Sequence, residues 1–255
     1  MKTLILAAAL TLGAGAALAE PVKVGMAPEP YPPFASMDAS GKWVGWEIEI
    51  VDAIFKSQGM EYTIVPVAWD GIIPALTSGQ IDTIMNSMSI TDERLRTIDF
   101  SDKYYNTPTV IVAAKGAVAS PDAEGLAGKI IGVQVSTVHQ NYAEKYFAGS
   151  AAEIKTYQTQ DEANQDLVAG RIDAVQADSI ALDAFLATEA GAACCELVGA
   201  VKDDPEILGR GVGAGVRKGD DALREAINAG IKAIRADGTY DAITAKYFAS
   251  SIYGD

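Results

Sequence analysis

The sequence predicts an α/β protein built as two similar lobes around a shared cleft. Segments with helical spacing alternate with short apolar runs of strand length. The stretch Leu76-Thr77-Ser78-Gly79-Gln80-Ile81-Asp82 returns, position by position, as Leu167-Val168-Ala169-Gly170-Arg171-Ile172-Asp173. Each copy then enters a short strand with a polar end, Asn86-Ser87 in one and Ala177-Asp178 in the other. A duplicated βα unit implies two lobes, and open α/β sheets bind ligands outside the carboxyl ends of their strands.

The chain opens with Lys2, an apolar run from Leu4 to Leu12 and the small-x-small triplet Ala17-Leu18-Ala19, the pattern of a cleaved signal peptide. Residues 1–19 are expected to be removed, leaving Glu20 first in an exported, soluble chain. The apolar run is too short for a membrane span, and no cysteine follows it to carry a lipid. Val22 to Gly25 alternates like a first strand, and the proline-rich Pro28 to Phe34 must be a loop at its carboxyl end. Helical spacing returns over Val44 to Phe55, and Tyr62 to Val67 reads as a second strand.

Asp70 is the expected N-cap of a helix that places Ile72, Ile73 and Leu76 inward and stops at Gly79. Ile81 to Met85 is then a short buried strand, the loop Asn86-Ser87-Met88-Ser89 lies at its end, and Thr91 caps a helix carrying Arg94. Thr109 to Ala114 and Lys129 to Val135 read as strands, with a loop and short helix over 120–128 between them. The second of these strands ends in Ser136-Thr137-Val138-His139, followed by a helix through Tyr142 and Phe147. Thr159-Gln160-Asp161-Glu162 is a capping box for the repeated helix. Leu208 to Val216 is glycine-rich and extended, suited to passing close to other backbone. A helix follows from Asp220 or Asp221 to Gly238, and a last one covers Tyr240 to Phe248. The chain therefore returns to its first lobe.

A formal charge of −14 argues against nucleic acid, because phosphate binding needs a basic face. The adjacent Cys194 and Cys195 are expected to be two free buried thiols, a vicinal bridge being the strained alternative. His139, the only histidine, follows no nucleophile elbow and reads as a polar surface or cleft-rim residue. No His, Cys and carboxylate cluster has metal-ligand spacing, and no phosphate loop occurs, so neither metal nor cofactor is expected.

Arg94 could hold a carboxylate with its planar fork, with hydroxyl help from Ser87 and Ser89. Asp178, at the matching strand end of the second lobe, could hold an ammonium. Spacing alone fits a solvated helix surface and an ordinary helix cap equally well. Taken together, the two would clamp a zwitterion and draw the lobes closed. Tyr31 and Trp69 are candidate walls for a ligand side chain, and Glu29 a candidate partner for its distal charge.

Three segments carry a resemblance that spans the mature chain: IDTIMNSMSITDERLRTIDFSD from Ile81, GRIDAVQAD from Gly170 and RADGTYDAITAKYFASSIYGD from Arg235. They resemble the periplasmic polar-amino-acid-binding proteins of ABC importers (bacterial extracellular solute-binding proteins, family 3), especially lysine/arginine/ornithine, histidine and opine binders. The resemblance implies the type II periplasmic binding protein fold, with two hinge strands and a cleft that closes on one amino acid. It divides the chain into lobe 1 (20–107 and 209–255) and lobe 2 (108–208). By position Arg94 takes the ligand α-carboxylate and Asp178 its α-ammonium. The loop residues Asn86, Ser87, Met88 and Ser89 lie at these groups, and Tyr31 and Trp69 wall the side chain. Asn86 replaces a more usual serine. Val138, flanked by Thr137 and His139, stands where a hydroxyl residue commonly assists the carboxylate. The loop before Tyr31 is one residue longer than in basic-amino-acid binders. The disulfide of the first lobe in those binders is absent.

The function implied is a monomeric periplasmic receptor that binds a polar, cationic amino acid or opine-type derivative and delivers it to an inner-membrane permease, without catalysis. The alternative is a periplasmic cyclohexadienyl (prephenate/arogenate) dehydratase on the same scaffold. An enzyme would need a proton donor at the leaving hydroxyl, which a receptor does not.

Overall fold

The alternation of periods becomes two five-stranded sheets, each flanked by helices. The computed structural model describes residues 20–254, so the expected signal peptide lies outside the described residues. The chain begins β1 (Val22–Met26), β2 (Ser36–Met37), β3 (Trp43–Val44), α1 (Trp46–Ser57), β4 (Tyr62–Pro66), α2 (Ile72–Thr77), β5 (Thr83–Ile84) and β6 (Ile98–Tyr105). It continues β7 (Thr109–Ala114), β8 (Ile130–Gln134), α3 (Val138–Tyr146), β9 (Glu153–Tyr157), α4 (Gln160–Val168) and β10 (Ala174–Asp178). Then come α5 (Ser179–Leu186), α6 (Glu189–Cys194), β11 (Cys195–Ala200) and α7 (Pro205–Leu208). It closes with β12 (Val212–Arg217), α8 (Asp221–Ala236) and α9 (Thr239–Thr244).

One sheet has the order β4-β1-β5-β12-β6 and the other β11-β7-β10-β8-β9. Reversing the second shows the same plan, with β8 for β1, β9 for β4, β10 for β5 and β7 for β12. Parallel pairs sit at the same places, β1 with β4 and β5, β8 with β9 and β10, and β12 and β7 each add an antiparallel neighbour. The chain leaves the first sheet after Tyr105, enters the second at Thr109, and returns after Ala200 to form β12.

The repeat does the same physical work twice. Asp82 accepts a hydrogen bond from the Lys23 N–H at 3.0 Å, and Asp173 accepts one from the Ile130 N–H at 2.8 Å. Each carboxylate thereby ties the entrance of one strand to the entrance of its parallel neighbour. Gly79 (φ 79°) and Gly170 (φ 67°) end the preceding helices in the left-handed conformation that glycine adopts without penalty. The capping box at Thr159 and Glu162 forms in full.

The core of the first lobe is aromatic. Phe34 stacks on Tyr105 at 4.9 Å and Trp46 packs edge-on to Tyr105 and Tyr240. The face of α8 bearing Ile227, Ile231 and Ile234 closes over them, each buried aliphatic contributing about 1.5–3 kcal/mol.

Several local expectations change. Asp70 does not cap a helix: it lies in a 3₁₀ turn over Trp69–Gly71, and α2 begins at Ile72 after a residue without a side-chain acceptor, Gly71. The helix expected after Thr91 is one 3₁₀ turn, Arg94–Arg96, although Thr91 Oγ1 does accept the Arg94 N–H at 3.2 Å. β6 starts at Ile98, two residues later, and stops the turn from propagating. The loop over 120–128 forms turns without a helix, Asp122 accepting the Glu124 and Gly125 N–H groups. The last helix ends at Thr244, not Phe248. Cys194 and Cys195 are joined as a vicinal disulfide rather than free. The boundary between α6 and β11 falls between them, so the backbone changes direction at the bond.

Candidate functional site

The strand ends of both lobes meet in one cleft, lined by two adjoining cavities. The inner cavity touches Glu29, Tyr31, Glu47, Trp69, Arg94 and Gln160, among others, and the outer one Lys103, Thr107, Asp178 and Arg210. Tyr31, Ser87, Ser89, Val138 and His139 border both.

The loop after β5 is built from lobe 1. Asn86 Oδ1 accepts the Ala27 N–H at 2.8 Å, bracing this loop against the one after β1. Ser87 has φ 54°, a left-handed conformation that few non-glycine residues adopt. Ser89 forms an isolated bridge with Val212 of the returning strand. Ile90 exchanges hydrogen bonds with Gly211 and Arg210. A Cβ at position 209 would lie 2.7 Å from Ile90 O, which is why the returning segment carries glycine there. Met88 does not reach the cleft. Its side chain is buried among Ile84, Ile98 and Phe100, because alternation along the loop turns it into the core.

Arg94 reaches across the cleft. Its Nη1 donates to Ser89 O at 2.9 Å and its Nη2 to Ser136 O, in the other lobe, at 3.2 Å. Trp69 lies under the guanidinium, 5.5 Å from its ring centroid, and donates its Nε1–H to the same Ser136 oxygen at 3.3 Å. Burial lowers the Arg94 pKa to about 10, which leaves it cationic at neutral pH. Tyr31 stacks on Phe34 at 5.7 Å and is fixed by the Tyr31 N–H to Ala35 O bond. Glu29 Oε2 is buried at the cleft without a hydrogen-bond partner among the described residues.

Lobe 2 contributes the start of α3. The Thr137 hydroxyl donates to Gln134 O at 2.7 Å and accepts the Gln140 N–H at 3.1 Å, so it is committed as the N-cap. What α3 offers an anion is therefore its first-turn N–H groups at Val138 and His139, aided by the helix dipole. His139 is not a freely solvated rim residue. It is half-buried with Nδ1 3.2 Å from Thr109 Oγ1, and burial beside Arg94 lowers its pKa to about 3. The ring is neutral at physiological pH.

Asp178 ends β10 and caps α5, accepting the Ile180 N–H at 2.8 Å on Oδ1 and the Thr107 hydroxyl on Oδ2. The same side chain thus caps a helix and borders the cleft. Burial raises its pKa from 3.8 to about 6, despite those hydrogen bonds. A cation placed against it would relieve that cost.

Of the twelve residues singled out from sequence, Met88 alone points away, while Asn86 acts through the backbone it braces. The sequence reading missed Glu47, Gln134, Thr159 and Gln160, which line the inner cavity, and Thr107, which holds Asp178. Glu47 stands in the first turn of α1, where an acid is ordinary because it complements the helix dipole. Only the fold shows that it faces inward.

The family model for bacterial extracellular solute-binding proteins, family 3, matches residues 22–250. An L-arginine-binding protein of Pseudomonas aeruginosa is 41% identical, covering 100% of this chain and 99% of its own length. The lysine/arginine/ornithine-binding periplasmic protein of Escherichia coli is 37% identical, covering 100% of both. Among solved structures, an ancestral arginine-binding protein bound to arginine superposes with a TM-score of 0.82 at 35% identity, over 91% of this chain and 99% of that one. An ancestral amino-acid-binding protein, described as a precursor of cyclohexadienyl dehydratase, superposes with a TM-score of 0.76 at 32% identity, over 89% and 94%. By sequence over its whole length and by its two-lobed α/β fold, the chain belongs to the bacterial extracellular solute-binding proteins, family 3.

Proposed function

We propose that the protein is a periplasmic receptor of an ABC importer that binds a polar, cationic amino acid or an opine-type derivative by closing its lobes. The observation that carries this reading is the pairing of Arg94 with Asp178, a partly desolvated cation and anion on different lobes at one cleft. A free amino acid presents the complementary charges on adjacent groups. In this reading the first-turn N–H groups of α3 join Arg94 and Ser89 at the α-carboxylate. Asp178 takes the ammonium, and Tyr31 and Trp69 flank the side chain. Glu29, whose Oε2 lacks a partner among the described residues, receives the distal cation. The relatives named for arginine and for lysine, arginine and ornithine support this choice of side-chain charge.

The proposed lobes are 20–107 with 209–255 and 108–208, joined by the two crossings. Residues 1–19 are the export signal, the receptor works as a monomer, and its partner is an inner-membrane permease. Nothing in this reading is catalytic. The dehydratase reading is the weaker, since the related scaffold is itself described as an amino-acid-binding protein.

A thermal-shift series over arginine, lysine, ornithine, histidine, glutamine and octopine tests the proposal. A ligand at 100 times its Kd adds about 2.7 kcal/mol to stability, so a cationic amino acid or opine should raise the melting temperature by several degrees. No shift with any of them, or turnover of prephenate or arogenate, rejects it.

A further inference from the structure

Glu47 is 1% exposed, and no other Asp, Glu, Lys, Arg or His among the described residues is buried to that degree. It stands in the first turn of α1 and borders the inner cavity. Its hydrogen-bond partners are neutral donors. Oε1 accepts the Ser87 N–H at 2.8 Å and the Tyr104 hydroxyl, and Oε2 accepts the Ser87 Oγ–H at 3.1 Å. Two of these bonds come from one residue, and that residue holds φ 54°. A serine does not keep a left-handed backbone unless its surroundings over-determine it. Here the carboxylate grips both its amide and its hydroxyl.

Ser87 is also the residue that the internal repeat aligns with Asp178. Both stand at the carboxyl end of the third strand of their sheet, and Ser87 borders both cavities. Burial is the main cause that raises the pKa of Glu47 and of Tyr31; the Asp178 charge adds to both and the Glu47 charge to Tyr31, so the three share one electrostatic neighbourhood.

We propose that Glu47 is the positioning residue of the ammonium subsite. It fixes the left-handed Ser87 turn opposite Asp178 and sets a second negative charge behind it, so that each lobe presents an anionic side to the ligand's amino group. This rests on the amino-acid reading and assigns the lobe 1 half of the site that reading gives to Asp178. Closure then has a simple electrostatic logic. Two carboxylates on opposite lobes repel until a cation sits between them, and the amine is that cation.

Calorimetry on the full-length mature protein with L-arginine and des-amino-arginine, which lacks only the α-amino group, tests the proposal. Glu47→Gln keeps the side-chain shape and an acceptor for the Ser87 amide while removing the charge. It should weaken arginine binding by about 10- to 100-fold, the range for a lost charged interaction, and weaken des-amino-arginine by less than about 3-fold. Tyr104→Phe removes the third bond to the same carboxylate but leaves both Ser87 bonds. It should lower the melting temperature of the free protein while keeping the arginine to des-amino-arginine ratio of the wild type. Glu47→Gln with wild-type arginine affinity, or with both ligands weakened by the same factor, overturns the proposal alone. Wild-type protein that prefers arginine to its des-amino analogue by no margin overturns the amino-acid reading and the proposal with it.

Discussion

The two lobes share a plan and differ at one point. Strand order, parallel pairing, the left-handed glycine after the repeated helix and the aspartate that ties neighbouring strand entrances all recur. At the end of the third strand the copies diverge. Lobe 1 places a left-handed serine backed by a buried glutamate, and next to it the cation Arg94. Lobe 2 places a carboxylate, Asp178, that also caps the following helix. The shared plan gives two equivalent strand ends, and they carry different chemistry. A site made this way is complete only when the lobes meet, which makes binding and closure the same event.

Removing either charge should break this division of labour with the largest effect. Arg94→Ala is expected to weaken arginine binding by about 2–5 kcal/mol, roughly 30- to 5,000-fold, the range for truncating one partner of a desolvated charge pair. Asp178→Asn should cost a similar amount. Its amide oxygen can still accept the Ile180 N–H, so α5 keeps its cap, and without a buried charge the ligand-free protein should melt higher at neutral pH. Calorimetry and melting curves on the same samples check both halves. Wild-type affinity in Arg94→Ala removes the cation from the site.

The pH dependence sharpens the same point. Asp178 has its pKa raised to about 6 from 3.8 in the ligand-free protein. Its contribution to stability is therefore full below about 3.8 and lost as pH rises through about 6. Ligand affinity runs the other way. The ammonium needs the charged carboxylate, so affinity should hold above pH 6 and fall as pH drops below it, approaching about tenfold per unit. His139, with its pKa lowered to about 3, does not titrate in that window. Titrations of wild type and Asp178→Asn separate the contributions, because the variant should lose most of the slope.

What the sequence showed depended on whether the cause was local. The capping box at Thr159 rests on neighbours within one turn and formed as read, whereas the strand read over Ile81 to Met85 shortened to Thr83–Ile84. The position of Arg94 and Asp178 at the cleft was legible because both lie near the carboxyl ends of strands, where open α/β sheets form their crevice. Glu47 was not. Its roles depend on Ser87, forty residues on, and on Tyr104, and an acid in a first helical turn needs no partner to look natural. Met88 was misplaced for the opposite reason. Its position in a polar loop hid the alternation that buries it in the core. The Asp70 cap failed because a 3₁₀ turn delayed the helix by one residue, a shift no capping pattern encodes.

Packing beneath the two strand ends allows a smaller test. A Cβ built on Gly25 would lie 2.2 Å from Ile81 Cδ1, and one on Gly132 would lie 2.6 Å from Ile172 Cδ1. These are equivalent contacts, each between the strand before the repeat and the isoleucine inside it. Gly25→Ala and Gly132→Ala should each cost about 1–3 kcal/mol in overpacking, with Gly25→Ala the worse. Ile81→Val and Ile172→Val remove the obstructing methyl and should restore part of the loss in chemical denaturation. If the two lobes pack alike only in outline, the rescue will appear in one pair and not the other.

The paired aspartates should give the smallest difference, and their order is not the one that counting contacts suggests. Asp82 has more partners, since it holds Lys23 and also receives Arg217 Nη2 at 3.0 Å. That ion pair is about a third exposed on both sides, and such pairs contribute about 0–1 kcal/mol. Lys23 is exposed, so water can satisfy its N–H when the carboxylate is gone. Ile130 is half-buried and Asp173 holds its N–H in a less solvated place, so Asp173→Ala leaves a donor that water reaches poorly. That loss is expected to be about 1–3 kcal/mol against about 1 kcal/mol for Asp82→Ala. Urea unfolding of the two variants decides the order. A larger loss at Asp82 would mean that Arg217 ties β12 to β5 more firmly than its exposure implies, and that lobe 1 depends on its returning strand in a way lobe 2 does not.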